Sequence, residues 1–439
     1  MPRGLALLVL CLLVSPARHA RAAAPVDDLA LRDARVVDVE NGAVLAGSTV
    51  LIRGDRIVAV APDAAVAVPA GARVIDLDGA FVVPGLSDMH VHTGADAHPL
   101  YLAAGVTTVR VMMGTESLLE WRRSYRPEDG PAPRVFLAGP LLAGTEVPWP
   151  HERITTPDEG RASVRRQAEA GYDFVKAYEG LSAPVYRAIV EEATARGLPV
   201  VGHVPMDVGL AGVVAAGQHT IEHVEQLMYG TYGRDGVMTL PLARIPEVVA
   251  ALEGRGVYVT PTLAGQERIH RRGTPWHEAR FARDEMRWMD PSWADWWNGT
   301  RAGSPSWEAL ERRRRFLMFQ EELTTALHEA GVPLLTGTDA PYPLLVPGFS
   351  LHHELEALVE AGLTPLEALR ASTLNAAAAL GRAGEAGVVA PGAWADLVVV
   401  AASPLEDLSV LATPDAVVSR GVYLDREELE RLRAEALPR

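Results

Sequence analysis

The protein has 439 residues, of which 48% are hydrophobic and 22% are charged, and its formal net charge is −15. These values are typical of a globular protein and exclude a disordered or fibrous chain. The acidic balance argues against nucleic acid as a partner, because phosphate binding requires a concentrated positive surface. At roughly 100–200 residues per domain, a chain of this length accommodates two or three domains.

The first 24 residues have the pattern of a secretory signal peptide. Arg3 precedes an apolar run over 4–14, and small residues precede Pro25. This run is too short to span a membrane core, which needs about 20 residues. The only cysteine, Cys11, lies within the run, so a processed chain has no cysteine for disulfides or thiol catalysis. We therefore expect a periplasmic or secreted protein without a stable membrane span.

Short β segments occur at both ends of the remaining chain. They lie at 34–39, 48–53, 56–60, 73–77, 395–401 and 414–424. Because each group has too few strands for a stable sheet of its own, we expect the two groups to combine. The pattern predicts one small β-sandwich domain built from residues 25–83 and 381–424. Residues 425–439 are expected to form a charged C-terminal tail.

Residues 84–380 alternate apolar strands with helical segments, which is typical of a parallel α/β fold. Candidate strands lie near 86–92, 106–111, 134–139, 173–178, 199–204, 219–223, 257–262 and 333–339. Eight such units predict a (β/α)8 TIM barrel, with an insertion at about 263–332. The insertion contains Trp276, Trp288, Trp293, Trp296, Trp297 and Trp307. These side chains either pack extra helices together or form a lid over a substrate.

Polar residues at the strand ends are the candidates for chemistry, because barrel sites are built at the C-terminal ends of strands. The candidates are His90, His92, Lys176, His203, His223 and Asp339. Alternation along a strand places His90 and His92 on one face, which makes half of a metal site. Lys176 is the one lysine among 41 basic residues. Unlike arginine, a buried lysine can lose its proton, so this amine is suited to chemistry that a guanidinium cannot perform.

These candidates lie in recognisable segments. The segments are Pro84-Gly-Leu-Ser-Asp-Met-His-Val-His92, Phe174-Val-Lys-Ala-Tyr178, Val201-Gly-His-Val204, Ile221-Glu-His223 and Thr336-Gly-Thr-Asp339. Through them the sequence resembles the amidohydrolase superfamily, and within it the imidazolonepropionase and prolidase-like branch. The resemblance covers nearly all of the chain after the signal peptide, including 387–404.

The resemblance implies a binuclear metal site holding two divalent ions, with zinc favoured among several suitable metals. It implies a carbamate on Lys176 that bridges the ions. The first ion would be held by His90, His92 and Asp339, and the second by His203 and His223. The chemistry of the residues agrees, because a neutral lysine amine can add carbon dioxide to become an anionic ligand with two oxygens. Two such ions can share a water and lower its pKa towards about 7.

Three residues are candidates for further roles. We expect Asp339 to carry a proton from the attacking hydroxide to the leaving nitrogen. Tyr178 shares a strand face with Lys176 and could donate its hydroxyl to an oxyanion or a substrate, or serve neither purpose. Arg110 could bind a substrate carboxylate or form an internal ion pair.

We therefore expect a metal-dependent hydrolase that cleaves a C–N bond by a metal-bridging hydroxide. The small-molecule substrate would be an amide, an Xaa-Pro-like dipeptide or an N-acyl amino acid. An esterase, lactonase or phosphotriesterase using the same site, and a catalytically retired binding protein, are the alternatives. Deaminases of the superfamily typically lack the lysine and carry a His-x-x-Glu pair, whereas Met206 stands three residues after His203 here. The sequence leaves both a monomer and a homo-oligomer open.

Overall fold

The computed structural model describes residues 28–126, 129–237, 242–289, 293–299 and 305–436, so the predicted signal peptide lies outside the described residues. The strands are β1 Leu29–Val37, β2 Val44–Arg53, β3 Arg56–Pro62, β4 Arg73–Asp76, β5 Phe81–Pro84, β6 Leu86–Val91, β7 Val106–Val111, β8 Arg134–Leu137, β9 Leu141–Ala143, β10 His151–Arg153, β11 Val175–Ala177, β12 Val200–Gly202, β13 Thr220–Glu222, β14 Tyr258–Thr260, β15 Leu397–Val400, β16 Ala416–Ser419 and β17 Val422–Asp425.

The helices are α1 His98–Ala103, α2 Glu116–Ser124, α3 Pro157–Ala170, α4 Ala183–Ala195, α5 Gly209–Ala215, α6 Val224–Val237, α7 Ile245–Leu252, α8 Leu263–His270, α9 Pro275–Arg280, α10 Ala294–Gly299, α11 Trp307–Glu329, α12 Phe349–Glu360, α13 Pro365–Ser372, α14 Leu374–Ala379 and α15 Arg426–Glu435. Their ends follow local rules. In α3, Thr156 and Glu159 form a reciprocal capping box, and Gly171 ends the helix in the left-handed conformation that glycine adopts without strain.

Strands from the two chain ends form one eight-stranded sheet. Its order is β17-β16-β15-β5-β1-β2-β3, and β4 also pairs with β1. The strands that join the two ends, β15 and β5, are antiparallel, with Leu397 opposite Pro84 and Val400 opposite Phe81. Strand β1 has register shifts on both sides of Ala34, and its two halves pair with β4 and β5 in turn. Strands from the two chain ends thus combine in one sheet.

The middle of the chain contains parallel sheets. Strands β6, β7 and β8 form one, and β10, β9, β11, β12, β13 and β14 form another. Isolated parallel bridges link Ala138 with Phe174, Val259 with Leu334, and Val91 with Ala340. Strands β6, β7, β11, β12 and β13 are buried along their whole length, as expected for parallel strands covered on both faces. The α/β fold with parallel strands is confirmed.

The predicted eighth strand, residues 333–339, is irregular. Within it and the next residue, only Leu334 and Ala340 make β-bridges. Asp339 has a φ of 65°, which takes the backbone out of the extended region. The segment still lies along β6, because the Asp339 N–H donates to the His90 carbonyl at 2.7 Å. The His92 N–H donates to the Ala340 carbonyl at the same distance.

Residues 426–435, within the predicted charged C-terminal tail, form α15. The Asp425 side chain caps this helix by accepting a hydrogen bond from the Glu428 N–H at 3.0 Å. Leu429 and Leu432, three residues apart on one helix face, pack against Leu102 of α1. The composition of this segment is mostly charged because its two buried leucines are spaced among charged residues that face solvent.

Within the described part of the chain, no helix is both long and apolar enough to cross a membrane.

Replacing Leu429, which is 1% exposed, by alanine should lower the free energy of unfolding by about 2–5 kcal/mol, because it leaves a cavity beneath α15. Chemical denaturation of full-length protein measures this. The control is Arg431→Ala, which removes only ion pairs with Glu428 and Glu435 whose side chains are partly exposed, so we expect at most about 1 kcal/mol. Equal stability of both variants would contradict the packed position of α15.

Candidate functional site

A cavity of about 590 Å³ lies at the C-terminal ends of the parallel strands. Its lining includes all six expected metal ligands and the tyrosine candidate: His90, His92, Lys176, Tyr178, His203, His223 and Asp339. The structure therefore brings together residues from five separated segments of the chain. Arg110 is the one predicted site residue absent from this lining.

Three donor atoms converge closely in the cavity. The Nε2 atoms of His90 and His92 are 3.2 Å apart, and Asp339 Oδ1 lies 3.4 Å from the former and 3.0 Å from the latter. Ligands of a tetrahedral zinc ion, each about 2.0–2.1 Å from the metal, stand about 3.3 Å from one another. The donor set and its spacing therefore fit a divalent metal ion.

A buried carboxylate orients the first of these histidines. His90 Nδ1 lies 2.9 Å from Glu222 Oε2, and both side chains are fully buried. Because an ionised carboxylate can only accept, the imidazole proton belongs on Nδ1, which leaves the Nε2 lone pair facing Asp339. A carboxylate behind a histidine is the usual support of a metal-binding imidazole.

Arg110 completes this support and is absent from the cavity lining, which disfavours the substrate contact, one of the two roles that the sequence left open. Its side chain is fully buried and donates to Glu222 Oε1 at 2.7 Å. It also donates to the Met89 carbonyl at 2.7 Å and to Thr220 Oγ1 at 3.1 Å. The structure therefore contains the internal ion pair, which was the second possible role of Arg110.

Two of the expected ligands occupy strained backbone positions. His223 and Asp339 have φ values of 66° and 65°, in the left-handed region that non-glycine residues seldom adopt. Such conformations cost roughly 1–3 kcal/mol and persist where the surroundings enforce them, often at functional sites. Here the surroundings include the His223 N–H, which donates to the Thr260 carbonyl at 2.8 Å.

Burial sets the protonation states of the site. It lowers the pKa of His90 well below the ordinary value, with help from the charge of Lys176, and it lowers the pKa of His223 to about 4. Burial alone would raise the pKa of Asp339. The hydrogen bond from His92 and the charges of His223 and His92 outweigh burial and hold the Asp339 pKa below its ordinary value. At neutral pH these groups have the charge states that bind cations.

Lys176 lies on the inward face of β11 and is 1% exposed. Burial lowers its pKa to about 8, although the negative charges of Glu222 and Asp339 oppose this shift. Space for the side chain depends on Gly202 in the neighbouring strand. A Cβ at Gly202 would lie 3.1 Å from Lys176 Cδ and 2.1 Å from the Ala177 carbonyl oxygen.

The remaining expected ligands form an aromatic row with the tyrosine. The His203 and His223 ring centroids are 5.1 Å apart, and those of His90 and His223 are 4.5 Å apart. The Tyr178 ring lies 4.1 Å from the His203 ring at an interplanar angle of 36°. His223 Nδ1 lies 2.8 Å from Thr262 Oγ1, so its orientation is also fixed by a neighbour.

The tryptophans of the insertion lie in several different environments. Trp293 and Trp296 line the cavity. Trp288 and Trp297 are buried in an apolar cluster, and Trp307 is 74% exposed. Trp276 lies beneath the guanidinium groups of Arg268, Arg271 and Arg280.

Several residues of this site were not predicted from the sequence, including Glu222, Trp149 and Tyr342. Glu222 immediately precedes His223, and an acidic residue within an apolar strand was the available signal for a buried partner. Trp149 lies outside the insertion, and Tyr342 lies three residues beyond Asp339. Both line the cavity, but nothing in their local sequence indicates this.

Replacing Glu222 by glutamine should weaken zinc binding about 10–100-fold, because it removes the charge that orients and polarises His90. Competition with a chromogenic chelator measures the affinity. Glu354→Gln is the matched control, since Glu354 is an equally buried carboxyl group that contacts the Leu263 and Ala264 N–H groups of α8 and none of the converging donor atoms. Unchanged zinc affinity in folded Glu222→Gln protein would refute the supporting role of this residue.

Comparison with known proteins agrees with this geometry. A model of the amidohydrolase family matches residues 81–424. The adenine deaminase of Mesorhizobium japonicum is 26% identical over 412 residues, which cover 90% of this chain and 56% of the deaminase. The structure of a bottromycin amidohydrolase superposes with a TM-score of 0.76 and 26% identity, covering 93% of this chain and 89% of that one.

A candidate prolidase from Bifidobacterium longum superposes with a TM-score of 0.71 and 26% identity. The match covers 94% of this chain and 100% of that one. Since the family match spans well over half of the sequence and includes every residue that lines the cavity, the chain belongs to the amidohydrolase family.

Proposed function

We propose that the protein hydrolyses the C–N bond of a dipeptide or an N-acyl amino acid at a binuclear metal site. Family membership supports hydrolysis of a C–N bond, and amidohydrolases typically use a divalent metal. The observation that carries the proposal is the convergence of His90, His92 and Asp339 within a cavity that also contains Lys176.

Six residues would hold the two ions. His90, His92 and Asp339 would bind the first, and His203 and His223 the second, with a carbamate on Lys176 between them. Burial of the Lys176 amine favours this modification, because the neutral amine attacks carbon dioxide and releases a proton as the N–C bond forms. When bound, the ions supply Lewis acidity, which polarises a carbonyl and makes water more acidic.

The side chains around the ions would move the protons. Asp339, whose pKa is held low, accepts a proton from the attacking water and returns it to the leaving nitrogen. Tyr178 lines the cavity and its ring lies against His203, so we assign its hydroxyl as the donor to the oxygen that gains negative charge. Glu222 keeps His90 in one tautomer throughout.

Deamination is the competing function that a relative suggests, since one curated match is an adenine deaminase. The residues after His203 disfavour it here, because Met206 stands where a His-x-x-Glu pair would place its acid. A buried lysine in the cavity also has no obvious use in a mononuclear site. Hydrolysis of esters, lactones or phosphotriesters requires the same nucleophile and is separated from amide hydrolysis by substrate assays.

We also propose that the parallel strands close into a (β/α)8 barrel spanning residues 84–380. The three isolated bridges support a closed barrel, because they connect β8 to β11, β14 to Leu334, and Ala340 to β6.

For residues 25–83 and 381–424 we propose a β-sandwich. The register shifts on both sides of Ala34 support it, because the first half of β1 pairs with β4 and the second half with β5.

Replacing Lys176 by arginine should reduce kcat/KM by at least ~100-fold, because a guanidinium cannot become a carbamate and cannot bridge two ions. The assay uses the best substrate from a panel of Xaa-Pro dipeptides and N-acyl amino acids. Arg187→Lys, a conservative change on helix α4, is the control and should keep full activity. Wild-type kcat/KM in Lys176→Arg would overturn the binuclear proposal.

We propose export of the protein by residues 1–24. Expression of the full-length gene in a Gram-negative host should yield a periplasmic chain that begins near Pro25, as determined by N-terminal sequencing. Recovery of cytoplasmic protein that still carries the apolar run of residues 4–14 would contradict this proposal.

A further inference from the structure

We propose that the substrate carries a planar aromatic ring, bound by an aromatic wall that consists of Trp149, Trp293, Trp296 and Tyr342. This inference rests on the proposed function and narrows its substrate class. All four residues line the cavity that contains the metal-binding candidates. Each is only partly buried in the folded chain, so ring surface remains available to a ligand.

The rings of Trp149, Trp293 and Tyr342 each contact the ring of Trp296. Trp149 and Trp296 have ring centroids 6.0 Å apart and an interplanar angle of 65°. Trp293 and Trp296 are 5.4 Å apart at 48°, and Trp296 and Tyr342 are 5.1 Å apart at 83°. Trp296 is therefore the centre of the wall and contacts each of the other three. Inclined rings of this kind present both faces and edges, which suits offset or edge-to-face contact with a further ring.

A buried anchor fixes this wall beside the reacting groups. Trp297, next to Trp296 in α10, is 1% exposed, and its Nε1 donates to the Pro341 carbonyl at 3.2 Å. Pro341 lies between Asp339 and Tyr342, and the Tyr342 N–H donates to the Asp339 carbonyl at 3.0 Å. The wall is thus attached to the short segment that supplies a proposed metal ligand. A ring bound there would lie next to the bond to be cleaved.

The rest of the cavity lining contains both apolar and polar side chains, which suits a substrate with an aromatic part and a polar part. Met113, Leu141 and Ile269 add apolar surface, whereas Glu179, Glu225, Gln226 and Gln266 supply the polar part of the cavity. An aliphatic chain would gain from burial but not from the orientation of the rings. Aromatic pairs gain roughly a further tenfold in affinity over burial alone.

The test compares pairs of compounds in which a phenyl ring is replaced by a cyclohexyl ring, and the variants below separate the effect of the wall from the intrinsic reactivity of each compound. N-benzoyl-leucine is paired with N-cyclohexanecarbonyl-leucine for the acyl side, and N-acetyl-phenylalanine with N-acetyl-cyclohexylalanine for the amine side. We expect kcat/KM to favour the aromatic member of at least one pair by about tenfold. Trp296→Leu should remove this preference, whereas Trp307→Leu, at a tryptophan 74% exposed and outside the cavity, should leave it intact. If Trp296→Leu does not fold, Trp149→Leu takes its place.

Calorimetry separates failure of this inference from failure of the proposed function. N-benzyl-leucine and N-cyclohexylmethyl-leucine, which lack a scissile amide, are titrated into metal-free protein and into both variants. Tighter binding of the benzyl compound by wild type and by Trp307→Leu only, without hydrolysis of any amide, would support the wall and overturn the hydrolase proposal. Hydrolysis of both members of each pair at equal rates would overturn the wall and leave the hydrolase proposal standing.

Discussion

The site depends on one contact, between β6 and the irregular segment that ends at Asp339. The two are 250 positions apart in sequence at Asp88 and Thr338, where the Thr338 N–H and hydroxyl donate to the Asp88 carboxyl group at 3.0 and 2.7 Å. Gly337 permits this approach, because a Cβ there would lie 2.8 Å from His90 Cβ. Next to this contact, Asp339 has a φ of 65°, and its carboxylate lies 3.4 and 3.0 Å from the Nε2 atoms of His90 and His92.

Three ionisable groups, Arg110, Glu222 and His90, are buried together next to this contact, and their hydrogen bonds explain how this is possible. Removing Arg110, Glu222 and His90 from water is costly, and such an arrangement is stable only when each polar atom has a partner. Glu222 accepts from both neighbours, and Arg110 adds bonds to Thr220 and the Met89 carbonyl. The result is a rigid imidazole whose lone pair faces the cavity. Stability and metal affinity therefore share the same residues.

The sequence predicts much of this arrangement because strand periodicity and residue chemistry are local properties. Apolar runs locate β6, β7, β11, β12, β13 and β14, and polar residues at their ends identify the lining of the cavity. The pairing of residues that are distant in sequence cannot be predicted from local patterns. Arg110 lies 112 positions from Glu222, so its charge could equally have suggested a substrate carboxylate. The composition of 426–435 likewise concealed a packed helix, because its buried residues, Leu429 and Leu432, are only two among many charged ones.

We propose that the converging residues hold two metal ions. The most direct test is native mass spectrometry of protein produced in medium supplemented with zinc and bicarbonate, which counts the metal ions on each folded chain. We expect two ions per chain, together with the added mass of a carbamate where it survives ionisation. One ion per chain would contradict the binuclear site, and none after reconstitution would indicate a catalytically retired binding protein.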